Sequence, residues 1–247
     1  MCRNMPTRKV KFEPGKFYHV FNRGNGKQDI FYNDKDRYRF LQAMYLSNNS
    51  NSFRGIEKLD RGKSGYTLAD IENLLNNNDV EHDPLVKICA DCLMPNHFHF
   101  LLQEIQKDGI IRFMQKLGNS YARYFTEKYG RPGSLFQGRF KAVCVESDEF
   151  LKYLLFYINI LNPAQLLEPN LKEEGTKKFN EVWQFADNYN WGTHQEFMGR
   201  RESILIDKGL LGEIYNNEDI YMKFVKDLLR SKERNKIWGI LEGLTLE

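Results

Sequence analysis

The chain has 247 residues, 41% of them hydrophobic and 28% charged, with a net charge of +3. This excludes a disordered polymer and leaves room for one domain with additions or for two small ones. The mildly basic charge permits a nucleic-acid partner without requiring one. MCRNMPTRKV has no apolar segment behind it and no run of about 18 apolar residues follows, so neither a signal peptide nor a membrane-spanning helix is expected. Four cysteines without a disulfide framework point to free thiols in the cytoplasm.

KFYHVFNR (16–23) is rich in aromatic and β-branched residues and ends on Gly24 and Gly26, which predicts a strand running into a loop. Asp34 and Asp36 open a helix whose Tyr38, Leu41 and Tyr45 recur at helical spacing. Residues 48–84 are Asn-rich and weakly periodic; they read as an insertion, mobile at its ends, with one short helix around TLADIENLL. VKICADCLM (86–94) and HFHFLLQ (97–103) are strands joined by the turn former Pro95-Asn96. A helix over 108–128 carries Ile111, Met114, Leu117, Tyr121 and Tyr124 on its stripe, and RPGS (131–134) breaks it. GRFKAVCVE (138–146) alternates as a fourth strand. Ser147 or Asp148 can cap the next helix, which is expected to stop at Asn162-Pro163. The remainder, 164–247, reads as a mostly helical extension beyond a first domain of residues 1–163. The order through residue 146 is β, α, β, β, α, β, which with antiparallel pairing is the ferredoxin-like α+β arrangement.

His97 and His99 share one face of their strand, about 7 Å apart, while Phe98, Phe100 and Leu102 face the helices. Two imidazoles on one face can converge on a metal ion completed by a carboxylate or amide. The competing reading is two packed or solvated rings. Cys89-x-x-Cys92 is a weaker metal signal: no turn former sits before Cys92, and a three-residue offset on a strand puts the thiols on opposite faces, so packed free cysteines are expected. A two-histidine phosphoesterase needs a second histidine strand with a hydroxyl residue, which His19-Val20-Phe21 lacks.

FYHVFNRGNGKQDIFYNDKDRYRFL, CLMPNHFHFLL and YARYFTEKYGRPGSLFQGRFKAVCVESDEFLKYL occur in that order and together resemble the IS200-like, or REP-associated, tyrosine transposases. The resemblance runs from about Lys16 to Pro163. It implies a ferredoxin-like core of the HUH type, with His97, Phe98 and His99 as the HUH triplet. It implies a single-strand DNA transposase that binds a folded hairpin, cleaves through a 5′-phosphotyrosine, rejoins strands without ATP, and uses a divalent ion, magnesium or manganese. An in-line attack on a phosphodiester needs such a nucleophile and charge neutralisation on the non-bridging oxygens. The protein would act as a monomer or a homodimer. A domesticated, inactive hairpin-binding protein is the alternative.

The resemblance places the nucleophile on the helix after the fourth strand, at Tyr157, with Tyr153 as competitor one turn earlier. It places a third metal ligand four residues after the tyrosine, but position 161 is Leu and the polar residue, Asn162, comes one later. Either the residue before Pro163 leaves helical geometry and brings Asn162 round, or Asn159 or a water serves. Arg23 and Lys27 in the first loop, and Arg131, Arg139 and Lys141 around the fourth strand, are the expected DNA contacts, with aromatics interleaved among basic residues.

Overall fold

A computed structural model of the protein describes residues 10–51, 82–171 and 176–230. Its first half runs β1 (Phe17–Arg23), α1 (Asp34–Ser47), β2 (Val86–Met94), β3 (His97–Glu104), α2 (Gly109–Tyr129) and β4 (Lys141–Cys144). The four strands form one sheet in the order β2-β3-β1-β4, every neighbouring pair antiparallel. This is the ferredoxin-like α+β arrangement that the element order predicts.

Local signals account for the element ends. Asn33 caps α1 in a reciprocal box: its side chain accepts from Asp36 N, and the Asp36 carboxylate accepts from Asn33 N. Gly130 ends α2 in left-handed geometry at φ 61°, donating to Thr126 O. The fourth strand is shorter than the alternation suggests. Its pairing with β1 ends at Phe21 and Lys141, and beyond that point Asn22 Nδ2 donates to Gly138 O in place of a ladder bond.

The apolar stripes are wider than those expected. In α1 Tyr45 lies in the core with Phe40, Ala43, Met44 and Leu46, and Leu41 packs against them, while Tyr38 is 60% exposed and lies edge-on to Trp191. In α2, Ile110, Phe113 and Phe125 join Met114, Leu117 and Tyr121 in the core, and Tyr124 lies at its edge. The helix of TLADIENLL lies outside the described residues. The feet of that insertion are tied rather than mobile. Asn48 Oδ1 accepts from Leu85 N and Val86 N, and Asn48 Nδ2 donates to Val86 O at 2.8 Å. Ser50 N also donates to Asp83 O.

Side-chain alternation sends Phe98, Phe100 and Leu102 to one face, where α1 and α2 cover them. The other face is covered as well. Helix α3 (Asp148–Phe156), capped by Ser147 through Phe150 N, packs there with the C-terminal segments α4 (Phe179–Asp187), His194–Phe197, Gly209–Ile214 and α5 (Glu218–Arg230). Leu101, Leu154, Ile158, Val182, Tyr221 and Val225 belong to that one core. The tail also grips the sheet's edge: Leu93 N donates to Trp191 O, and Thr193 N to Asp91 O.

The offset thiols do not separate to opposite faces. The β2–β3 register shifts between Ile88 and Ala90, and this bulge turns Cys89 into the same core as Cys92. Both remain free thiols, and burial pushes Cys89 up to about 12 and Cys92 well above its usual range.

Candidate functional site

The helix following β4 does not stop at Asn162. After Phe156 it widens into a five-residue π turn, Tyr157–Leu161, and continues through Asn162–Ala164. Asn162 keeps helical dihedrals, φ −61° and ψ −58°, and its N–H donates to Tyr157 O. The residue before Pro163 therefore does not swing out. The wider turn eases the proline ring past the carbonyl four residues back, where an α-helix would clash. A π turn closes its bond from i to i+5, so a residue five positions on stands where an α-helix would put the fourth. The extra residue between Tyr157 and Asn162 is thus absorbed by the backbone. The amide of Asn159 is engaged elsewhere, bonded to Thr193 and Tyr221 of the tail.

Tyr157 is 1% exposed and stands edge-on to His99, ring centroids 5.2 Å apart at 90°. His97 and His99 lie 5.0 Å apart, centroid to centroid, as their shared strand face requires. A third ring joins them. The β1–β3 register sets Phe21 opposite His99 and Arg23 opposite His97, so His19 falls on the same face. Its Nε2 lies 2.8 Å from His99 Nδ1, and its ring meets Tyr157 at 5.9 Å. Strand parity alone puts His19, Phe21 and Arg23 together; only the register brings them to His99.

The hydrogen bond of His97 favours a ligating tautomer. His97 Nδ1 lies 2.6 Å from Asn96 Oδ1, an acceptor, so the proton sits on Nδ1 and the lone pair on Nε2. His99 takes the same form when its Nδ1–H donates to His19 Nε2. A partner on the far nitrogen is the usual means of aiming a metal-binding imidazole. Asn162 is fully buried and its Nδ2 has no partner. Its Oδ1 accepts from Gln165 Nε2 at 3.3 Å, so exchanging the amide oxygen and nitrogen would put an acceptor there at the loss of that bond. The imidazoles of His97 and His99 and the amide of Asn162 are uncharged donors. Among the described residues no group of three or more His, Cys, Asp or Glu is gathered for a metal. A cation here would therefore depend on charge brought by a ligand such as a phosphate.

The basic residues divide. Arg23 and Lys141, opposite His97 and Phe21 respectively, project from the histidine face. Arg23 Nε also donates to Gln137 Oε1. Lys27 sits in the adjoining loop, held by Asn96 Nδ2 donating to its carbonyl at 3.1 Å, and that loop is built on Gly24, where a Cβ would lie 2.0 Å from Gln28 O. Arg139 instead lines a cavity of about 530 Å³ on the other face, with Phe98, Gln115, Asn119 and Phe136. None of the three histidines lines this cavity. Arg131 stands in the loop after α2, ahead of Leu135, whose carbonyl accepts from Asn25 N.

Residues 71–159 match the family model described as transposase IS200 like. This bears out the resemblance read from the sequence, and the matched stretch contains His97, His99 and Tyr157 but neither β1 nor the tail. A comparison with curated proteins finds no match. A REP-associated tyrosine transposase solved bound to a REP hairpin aligns at 12% identity and TM-score 0.43, over 83% of this chain and 99% of that one. The tRNA(His) guanylyltransferase of Saccharomyces cerevisiae aligns at 13% identity and TM-score 0.30, over 76% and 77%. Neither overlay is close enough to bear on function.

Proposed function

We propose that this chain, matched to the IS200-like transposases over residues 71–159, is a single-strand DNA nuclease and strand transferase whose nucleophile is Tyr157. One observation carries the reading: the π turn sets Asn162 in register with Tyr157, and Tyr157 against the paired histidines. Tyr157 Oη attacks a backbone phosphorus, the bond to the 3′ oxygen breaks, and a 5′-phosphotyrosine remains. The departing 3′ oxygen ends as a hydroxyl, taking up the proton that the phenol gives away. The covalent link keeps the phosphodiester's energy, so rejoining to another 3′ hydroxyl needs no ATP. A divalent cation, magnesium or manganese, held by His97, His99 and Asn162 would neutralise the non-bridging oxygens.

The residues of this chain do the rest. His19 orients His99, and Asn96 orients His97. Arg23, Lys27 and Lys141 hold phosphates beside the half-buried His97, where the strand enters, and Arg139 and Arg131 bind outlying backbone. The substrate is DNA whose ends fold into hairpins, met in the cytoplasm by a monomer or a homodimer.

The burial of Tyr157, His99 and Asn162 favours a second reading, a hairpin-binding protein that no longer cuts. One experiment separates them. Labelled single-stranded hairpins are incubated with the protein and manganese, and covalent adducts are mapped by mass spectrometry. An adduct on Tyr157 that is lost in Tyr157→Phe and kept in Tyr153→Phe supports the nuclease. Hairpin binding without any adduct supports the second reading. An adduct on Tyr153 would move the nucleophile by one turn.

A further inference from the structure

Asn159 sits in the middle of the π turn, 1% exposed, and its amide is engaged on both sides. Thr193 Oγ1 donates to Asn159 Oδ1 at 2.7 Å, and Asn159 Nδ2 donates to Tyr221 Oη at 3.0 Å. The chain of bonds runs on in both directions. Asp91 N donates to Thr193 Oγ1 at 3.2 Å, and Tyr221 Oη lies 3.2 Å from His194 Nδ1. Burial holds the His194 imidazole down at about 4, so it is neutral and Nδ1 can accept. Its Nε2 then carries the proton, 3.7 Å from Asp187 Oδ1 and beyond hydrogen-bond distance. One set of proton positions satisfies every step from β2 to α5, and the middle position needs a side chain that both donates and accepts.

A π turn is rare and has poorer intrinsic geometry than an α-helix, so its surroundings must select it. Here the selection falls on Asn159, between Tyr157 and Asn162, and it comes from Thr193 and Tyr221, far along the chain. We propose that Asn159, Thr193 and Tyr221 are positioning residues: through them the C-terminal tail clamps the π register and so aligns Tyr157 with Asn162. The clamp gives the tail a role in the site, and its effect on chemistry rests on Tyr157 being the nucleophile.

Thr193→Val and Tyr221→Phe each remove one hydroxyl from the full-length protein and keep the bulk. Hydrogen exchange over residues 157–162 reads how firmly the turn is held, since Asn162 N–H closes the π bond on Tyr157 O. We expect exchange there to quicken about tenfold and single-turnover adduct formation to slow by at least as much, with hairpin affinity held within about twofold. Thr193→Ser, which keeps the hydroxyl, should restore both. Deleting Leu161 in the Thr193→Val protein sets Tyr157 and Asn162 four residues apart, as an α-helix needs, and adduct formation should return without the clamp.

Unchanged exchange in a folded Thr193→Val or Tyr221→Phe protein overturns the proposal. Slowed chemistry that Thr193→Ser does not restore overturns it too. If Thr193→Val does not fold, Tyr221→Phe decides. If the wild-type protein forms no adduct, the nuclease reading fails, and the exchange rates alone still decide whether the clamp holds the turn.

Discussion

The two faces of the sheet are buried to the same depth and made of different matter. On the face under α1 and α2, Tyr18, Val20, Phe98, Phe100 and Leu102 meet Phe40, Phe113, Leu117 and Tyr121. Its buried polar groups include Tyr121, whose Oη donates to Ile30 O at 2.6 Å, and Glu104, whose Oε2 accepts from Ile110 N at 3.2 Å. On the face under α3 and the tail, His19, His99, Asn159, Asn162, Thr193 and His194 are each no more than 1% exposed. Burying such groups costs about 1–3 kcal/mol apiece when a partner is missing, so a core built only for stability avoids them. Adjacent residues of one strand, Phe98 and His99, thus serve opposite ends: one fills volume, the other holds geometry. Burial does not separate core from site here; the polarity of what is buried does.

The comparison breaks most sharply with one substitution on each face. His99→Ala should lower single-turnover adduct formation by at least about 1,000-fold, because it removes both the proposed donor to a cation and a neighbour of Tyr157. Hairpin affinity, measured by gel shift, should stay within a few-fold. His19→Ala, acting through His99, should cost about 10–100-fold. Phe100→Ala should do the reverse: about 3–5 kcal/mol of stability lost in urea denaturation, and adduct chemistry per folded molecule unchanged. If His99→Ala costs as much binding as cleavage, the histidines belong to the docking surface rather than to the chemistry.

Much of this contrast is legible in the sequence, because strand alternation assigns His97 and His99 to one face and Phe98 and Phe100 to the other without any tertiary information. The βαββαβ order is legible for the same reason: periods of two and of about 3.6 alternate along the chain. What escapes a single sequence is register and backbone irregularity. His19 meets His99 only through the pairing of Phe21 with His99. Cys89 reaches the core of Cys92 only through a bulge, and Asn162 lines up with Tyr157 only through a π turn. The bulge and the π turn are one-residue departures from ideal periodicity, which a reading built on ideal periods cannot see, and the pairing register is written in no local period. The cover on the histidine face escapes for another reason: Val182, Tyr221 and Val225 look like any helical stripe until the sheet they pack on is known.

A smaller effect sharpens the contrast at the sheet's edge. Asp91 is buried, and desolvation, with Glu196 nearby adding to it and Arg201 opposing, pushes its carboxyl up to about 7 from an ordinary 3.8. The folded protein therefore binds this proton more tightly than the unfolded chain does. The charged form is at its full cost above about pH 7, the cost is relieved as pH falls from about 7 to about 4, and no further gain follows below. Asp91→Asn should stabilise the protein by about 1–4 kcal/mol at about pH 8, and the difference should vanish near pH 4. Denaturation midpoints across that range check it; a constant difference at every pH would mean that the carboxyl does not titrate there.

The smallest expected effect concerns Arg139, which lines the cavity beyond the helix-covered face while Arg23 and Lys141 flank the histidines. A lost phosphate contact has a signature that a packing defect lacks: the salt dependence of binding falls by about 0.7–1 in slope for single strands, equally for every target. Arg139 is exposed, so its removal should leave stability within about 0.5 kcal/mol. Arg139→Ala is therefore expected to weaken hairpin binding a few-fold at low salt, reduce the slope by one contact, and leave the single-turnover rate of bound complexes untouched. Lys141→Ala should reduce the slope similarly and also slow the bound complex, because it stands opposite Phe21 on the face of His99. An unchanged slope in Arg139→Ala would assign its guanidinium to the wall of the cavity, and the DNA path would then lie along the histidine face alone.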